Sequence, residues 1–252
     1  VVAATLIFWR IVSKKDTRLP QSSQVQREGI PPAVLEAPAA APKEKPADGT
    51  YKSYYKHGVP QAIFDIKDGK LHGVRRVFAE DGRLLREEAY QEGQLQGISR
   101  VYYEGGNLKA ELNFVNNKRE GISKIYYPGG QLWAEELYQN NKLNGITKSY
   151  YKDGKLLFEV NFAEGKPVYR KQYYPKGSLL REDTYQEEKI QGVSKFYHET
   201  GELLAEVTYQ QDKAIHLKKF NPQGEIILEI ADVNKIPQGE AIFQFLFEKK
   251  AA

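Results

Sequence analysis

The stretch GISRVYYEGGNLKAELNFVNNKRE, Gly97–Glu120, is followed at once by GISKIYYPGGQLWAEELYQNNKLN, and the same sentence recurs along most of the chain. With the first glycine taken as position 0, copies begin at Gly49, Gly73, Gly97, Gly121, Gly145, Val168, Gly192 and Ile215; two intervals are 23 residues and the others 24. A unit this short cannot bury an apolar face alone and must stack on its neighbours. The repeat therefore limits the fold before any local propensity does.

Glycine occupies position 9 in every copy, as at Gly82, Gly106 and Gly154, where it follows Asp81, Gly105 and Asp153. Such pairs between β-rich runs predict a two-residue hairpin turn, because glycine supplies the positive φ the turn requires. Each copy then reads as one hairpin in which residues whose positions sum to 17 face each other. Position 3 is basic in all copies and position 14 is Glu in all but the first. Arg100 with Glu111, Lys124 with Glu135 and Lys148 with Glu159 thus make a structural charge ladder, each pair contributing roughly 0.2–1 kcal/mol. Paired acids and bases repeated in nearly every copy are read as structure, since a catalytic site occurs once.

The 17 tyrosines keep the same period. Positions 5 and 6 are a recurrent aromatic pair, and neighbouring strand residues point to opposite faces. On this reading one face carries the tyrosines of position 6 and the leucines of position 11. Tyr103, Tyr127, Tyr151, Tyr174, Leu108, Leu132 and Leu156 form its candidate partner-contact surface. The other face carries the ladder and the position-5 tyrosines. The predicted fold is all-β, an elongated antiparallel meander of about eight hairpin repeats over residues 49–238, with about 16 or 17 strands.

The flanks differ in kind. Residues 1–12, VVAATLIFWRIV, are apolar except for Thr5 and Arg10, and the sequence opens without methionine. They are read as the end of a transmembrane helix or signal anchor, shorter than the roughly 20 residues a full span needs. Residues 13–48, rich in proline and alanine, read as a flexible linker. Residues 239–252, with the apolar run EAIFQFLFEKK, are expected to close the array as a capping strand.

The run YYxxGxLxxExxYxxxKxxG, present from Tyr102 to Gly121 with Phe114 as its third aromatic, resembles the bacterial variant of the MORN repeat. Proteins of that kind are often labelled YwqK-family antitoxin-like repeat proteins. The resemblance covers about 49–238 and implies a β-hairpin array used for protein or surface contacts, with no catalytic residues to carry over. Val168 and Ile215 replace the opening glycine, and Pro60 and Ile63 depart from the pattern in the first copy; these sites are expected to mark bends or the cap.

Function classes narrow by composition. A formal charge of +4 gives no strong field for a phosphate backbone, so nucleic acid is not an expected partner. The absence of cysteine removes thiolate chemistry and thiolate metal sites. His57, His72, His198 and His216 fall at four different repeat positions, and no nucleophile elbow, HExxH helix or phosphate loop is present. No enzyme, cofactor or metal is expected. The reading is a membrane-tethered scaffold for protein partners, an accessory subunit of a larger bacterial membrane or envelope complex. Its array is placed in the periplasm or otherwise outside the cytoplasm, the cytoplasmic face being the alternative. A cell-wall polysaccharide module using tyrosine stripes and an antitoxin-like binding protein are the other readings.

Overall fold

The computed structural model describes residues 45–247. The apolar segment 1–12, most of the linker and residues 248–252 lie outside the described residues. Twenty strands follow one another as an antiparallel hairpin meander. Sixteen are five residues or longer and correspond to the predicted hairpins; the other four, Gln94–Leu95, Lys118–Arg119, Lys142–Leu143 and Lys189–Ile190, are two-residue pieces. The chain divides into two compact units, one of residues 45–142 with 152–154 and the other of 143–151 with 155–247.

The turn at position 9 is not the predicted two-residue one. In the third repeat Tyr103 N donates to Asn107 O and Gly106 N to Tyr103 O, which encloses a three-residue loop closed by Gly106 at φ 83°. That loop alone would slip the register by one. A bulge takes the slip back: Tyr102 faces Leu108 while Val101 faces Ala110, leaving Lys109 unmatched, and Arg100 then meets Glu111 as predicted. Two-residue turns do occur, but at the other end of the hairpins. Asn116 and Asn117 (φ 51° and 64°), Asn140 and Asn141 (50° and 68°), and Gln211 and Asp212 (50° and 69°) have the paired positive φ of type I′ turns.

These turns also tie neighbouring repeats together. Asn141 N donates to Arg119 O while Arg119 N donates to Asn141 Oδ1, and Asn117 makes the same pair of bonds to Leu95. After each turn the regular repeat carries a two-residue excess: four residues separate Arg119 from Lys124, against two between their partners Phe114 and Glu111. The opening glycine sits in that excess with positive φ, 74° at Gly121. In the two 23-residue intervals the excess is one residue, as between Pro167 and Lys171. The strands Lys166–Tyr173 and Lys213–Phe220 then run unbroken. Val168 and Ile215 therefore replace glycine because the deletion removes the need for positive φ. Each is the unmatched residue of a one-residue bulge, Val168 between Pro167 and Tyr169 and Ile215 between Ala214 and His216, the kind of site at which a strand bends.

The bulge also changes one face assignment. Leu108, Leu132 and Leu156 lie opposite Tyr102, Tyr126 and Tyr150, so they share the ladder face rather than the face of Tyr103. The buried face is built from other positions. In the first unit it mixes small residues, Ala110, Ser123 and Ala134, with the large Tyr138. In the second, Phe158, Phe162, Phe196, Leu204 and Val207 are buried.

The predicted C-terminal capping strand is a helix, Ala241–Phe247. Residues four apart share a helix face, so Ile242 and Leu246 enter the core together while Phe243 and Phe247 stack at 6.0 Å beside it. Phe243 meets Phe196 edge-on at 5.4 Å. Just ahead of the helix, the Gln238 carboxamide accepts from Ala214 N and donates to Ala214 O, both at 2.9 Å. That is the bond pair which Asn141 gives Arg119. One side chain thus stands in for the turn of a further repeat.

Candidate interaction surface

The ladder face is organised by its glutamates. Several carboxylates lie between the base of their own hairpin and that of the next: Glu111 faces Arg100 on one side and Lys124 on the other, and Glu182 faces Lys171 and Lys195. Ion-pair distances are 3.1 Å for Arg76–Glu87, 3.2 Å for Arg100–Glu111, 3.9 Å for Lys124–Glu135 and 3.8 Å for Lys148–Glu159. The second carboxylate oxygen accepts a tyrosine hydroxyl from the following repeat. Tyr102 donates to Glu87 at 2.8 Å, Tyr126 to Glu111 at 3.0 Å, Tyr173 to Glu159 at 2.7 Å and Tyr197 to Glu182 at 2.8 Å. The hydroxyl of Tyr102, then Arg76, hold Glu87 below the usual carboxylate range against a smaller opposing effect of burial.

The predicted contact tyrosines of position 6 serve a second internal role. Tyr103 donates to Tyr126 O at 2.7 Å, Tyr151 to Tyr173 O at 2.8 Å and Tyr174 to Tyr197 O at 2.8 Å. Tyr127 is half-buried in the equivalent place. These hydroxyls staple one repeat to the next.

A row that sequence reasoning missed lies beside the ladder, at position 1. Val74, Ile98 and Ile122 in the first unit are 39%, 49% and 56% exposed, and Ile146 and Val193 in the second are both 46% exposed. Within the first unit, successive repeats put Val74, Ile98 and Ile122 roughly 10 Å apart, two strand spacings. The signal was available as Val or Ile one residue after every opening glycine except Gly49.

Buried charge is the other feature that was missed. Asp183 accepts from Arg170 Nε at 3.0 Å and Nη2 at 2.6 Å, from Arg181 Nε at 2.7 Å and from Ser194 Oγ at 2.6 Å. Burial pushes its carboxyl up, but Arg181 and Arg170 outweigh that and hold it below 3.8. In the other unit Glu136 accepts from Tyr138 at 2.9 Å and lies 3.5 Å from Arg119, whose guanidinium is 3.7 Å from the Tyr138 ring centre. Here burial prevails and the Glu136 carboxyl is raised. The acids of both clusters are buried, with side-chain exposure of 0% for Asp183 and 1% for Glu136. Among the described residues no group of three His, Asp or Glu is placed to hold a metal ion.

The family model of the MORN repeat variant matches residues 95–116, 119–140, 143–164, 169–187 and 190–211. Five of the chain's repeats, together less than half of its length, match that model. Each matched window opens at or near a two-residue strand and closes in or near a type I′ turn, apart from the window at 169, which opens inside an unbroken strand. No curated protein matches the chain. Among solved structures, a chain of the crystal structure of TcdB2-TccC3-Cdc42 is similar over 72% of this chain at 14% identity with a TM-score of 0.20. This chain spans 12% of that chain's length. No helix among the described residues is long and apolar enough to cross a membrane.

The inter-repeat tyrosines predict an alkaline limit. Burial, with the bond to Glu182, raises the Tyr197 hydroxyl to about 12, and burial with nearby Glu199 raises Tyr174 to about 12. A pKa raised in the fold gives stability that is complete below the unfolded value of 10.0 and disappears as pH rises through about 12. Circular dichroism and tyrosinate absorbance are expected to change together in that window. Full tyrosinate formation near pH 10 with the fold intact would refute this.

Proposed function

We propose that the MORN-variant array is a non-catalytic scaffold that binds protein partners through the ladder face. The observation that carries this is the exposed row Val74, Ile98 and Ile122, with Ile146 and Val193 in the second unit. β-Branched residues held open on a rigid sheet, flanked by charges already paired with each other, suit a partner that supplies an apolar stripe and tolerates a polar rim. The position-6 tyrosines favour protein over polysaccharide, because the hydroxyls of Tyr103, Tyr151 and Tyr174 are engaged by backbone carbonyls. The apolar segment 1–12 and the linker 13–48 support a tethered arrangement at a bacterial envelope complex, with the array outside the cytoplasm.

The test replaces Ile98 and Ile122 with Asp, where exposure leaves the fold undisturbed. Proteins retained from solubilised membranes by the native array are expected to be lost at least tenfold, with an unchanged melting curve. Retention by the variant equal to the native chain, or binding to sedimented cell-wall polysaccharide in place of protein, would overturn the reading.

A further inference from the structure

We infer that the chain associates head to tail, the last strand of one copy pairing with the first strand of a second copy in the register of the internal repeat junctions. The strand Gly49–Tyr54 pairs, among the described residues, with Pro60–Lys67 alone, and the strand Ile226–Ile230 with Lys213–Phe220 alone. Each leaves one edge of backbone donors and acceptors open. At internal junctions residue 14 of one repeat meets residue 3 of the next, as in Glu87↔Arg100, Glu111↔Lys124 and Glu206↔Lys218. Residue 13 meets residue 4 beside it, as in Ala110↔Ile125.

The two open edges carry the unmatched halves of that junction. Lys52, at position 3, faces Ile63 instead of a glutamate in its own hairpin. Glu229, at position 14, uses Oε1 for His216 at 2.9 Å and Lys218 at 3.7 Å. No hydrogen bond reaches its Oε2 among the described residues, and Oε2 is the atom that takes the next repeat's tyrosine in Glu87, Glu111, Glu159 and Glu182. The tyrosine that would fill this place on a second copy is Tyr54, which is 55% exposed. Position 13 is consistent: Ala110, Ala134 and Ala205 are fully buried, whereas Leu228 is 36% exposed. A second copy seats Lys52 on Glu229, the Tyr54 hydroxyl on its free oxygen, and Ser53 opposite Leu228. The same two edges remain at the ends of the pair, so the contact is heterologous and propagates.

Sedimentation velocity of the purified full chain in mild detergent tests this apart from the binding of other proteins. Assemblies larger than the 28.8 kDa chain are expected to grow with concentration. Lys52→Glu or Glu229→Lys alone should weaken association at least tenfold, and the two together in one chain should restore it. In a chain without cysteine, mixing a Ser53→Cys chain with a Leu228→Cys chain should give a disulfide-linked heterodimer in preference to either homodimer. A native chain that stays monomeric, single charge reversals that associate like the native chain, a double variant that does not recover, or cysteine coupling without preference for the mixed pair would each overturn the proposal.

Discussion

Asp183→Ala is expected to lower stability by about 3–5 kcal/mol, read as a lower urea midpoint with an unchanged slope. The carboxylate is the shared partner of Arg170 and Arg181, whose side chains are both 8% exposed while that of Asp183 is at 0%. Removing it leaves two buried cations without the charge that offset their desolvation, and opens a small cavity between them. Asp183→Asn keeps the shape and one acceptor, so it should fall between the two. The pH dependence gives a second reading. A depressed carboxyl contributes stability that is present above the unfolded value of 3.8 and lost as pH falls through the lower folded value. The native chain should therefore weaken in acid more steeply than Asp183→Asn. A variant within 1 kcal/mol of the native chain, on the scale of an exposed pair, would show that the cluster is not holding the second unit.

The ladder was legible because its period and charge are both in the sequence: a base at position 3 and an acid at position 14 can meet only in a hairpin. The turn chemistry was not legible, for a specific reason. A three-residue loop followed by a bulge and a two-residue loop without one give the same pairing at Arg100 and Glu111. They differ beside the turn, where Leu108 rather than Lys109 comes to face Tyr102 and the face of Leu108 is reversed. Asn116-Asn117 and Asn140-Asn141 carried the signal for type I′ turns, since Asn tolerates the left-handed region better than most residues.

The buried acids were visible in principle. Position 15 reads Phe64, Glu88, Leu112, Glu136, Val160, Asp183, Val207 and Ile230, so an acid replaces an apolar residue in three copies. Arg75, Arg119 and Arg170 supply the compensating charges from neighbouring strands. Arg75 faces Glu88 and Arg170 faces Asp183 within one hairpin, at positions 2 and 15, so the rule that pairs positions summing to 17 already contained them; only Arg119 reaches its acid from the preceding copy. The position-6 tyrosines carry an internal role that spacing did not show. Regular spacing suggested a partner-contact face, and a tyrosine that repeats once per unit can also be a staple between units, as the hydroxyl bonds of Tyr103, Tyr151 and Tyr174 are.

The C-terminal helix is where pattern and structure parted most, and it sets the second large effect. A run of seven residues from Ala241 to Phe247 is short enough for strand and helix to compete, and spacing by four decides between them only when there is a surface to receive Ile242 and Leu246. The last repeats provide that surface in Phe196, Leu204, Val207 and Leu217. Ile242→Ala is expected to cost about 2–5 kcal/mol, because Ile242 is fully buried and the short helix has few other contacts with which to close the cavity. The loss should be local. Stability in a repeat array is carried by neighbour interfaces, so amide exchange should accelerate in Leu203–Gln210 and Lys213–Phe220 and stay unchanged in Gly97–Tyr102. Gln238→Ala removes the amide that stands in for a further turn and should act at the same place with a smaller cost of about 1 kcal/mol. Uniform acceleration along the chain in Ile242→Ala would mean that the helix supports the whole array; no acceleration anywhere would mean that the terminal repeats close without it.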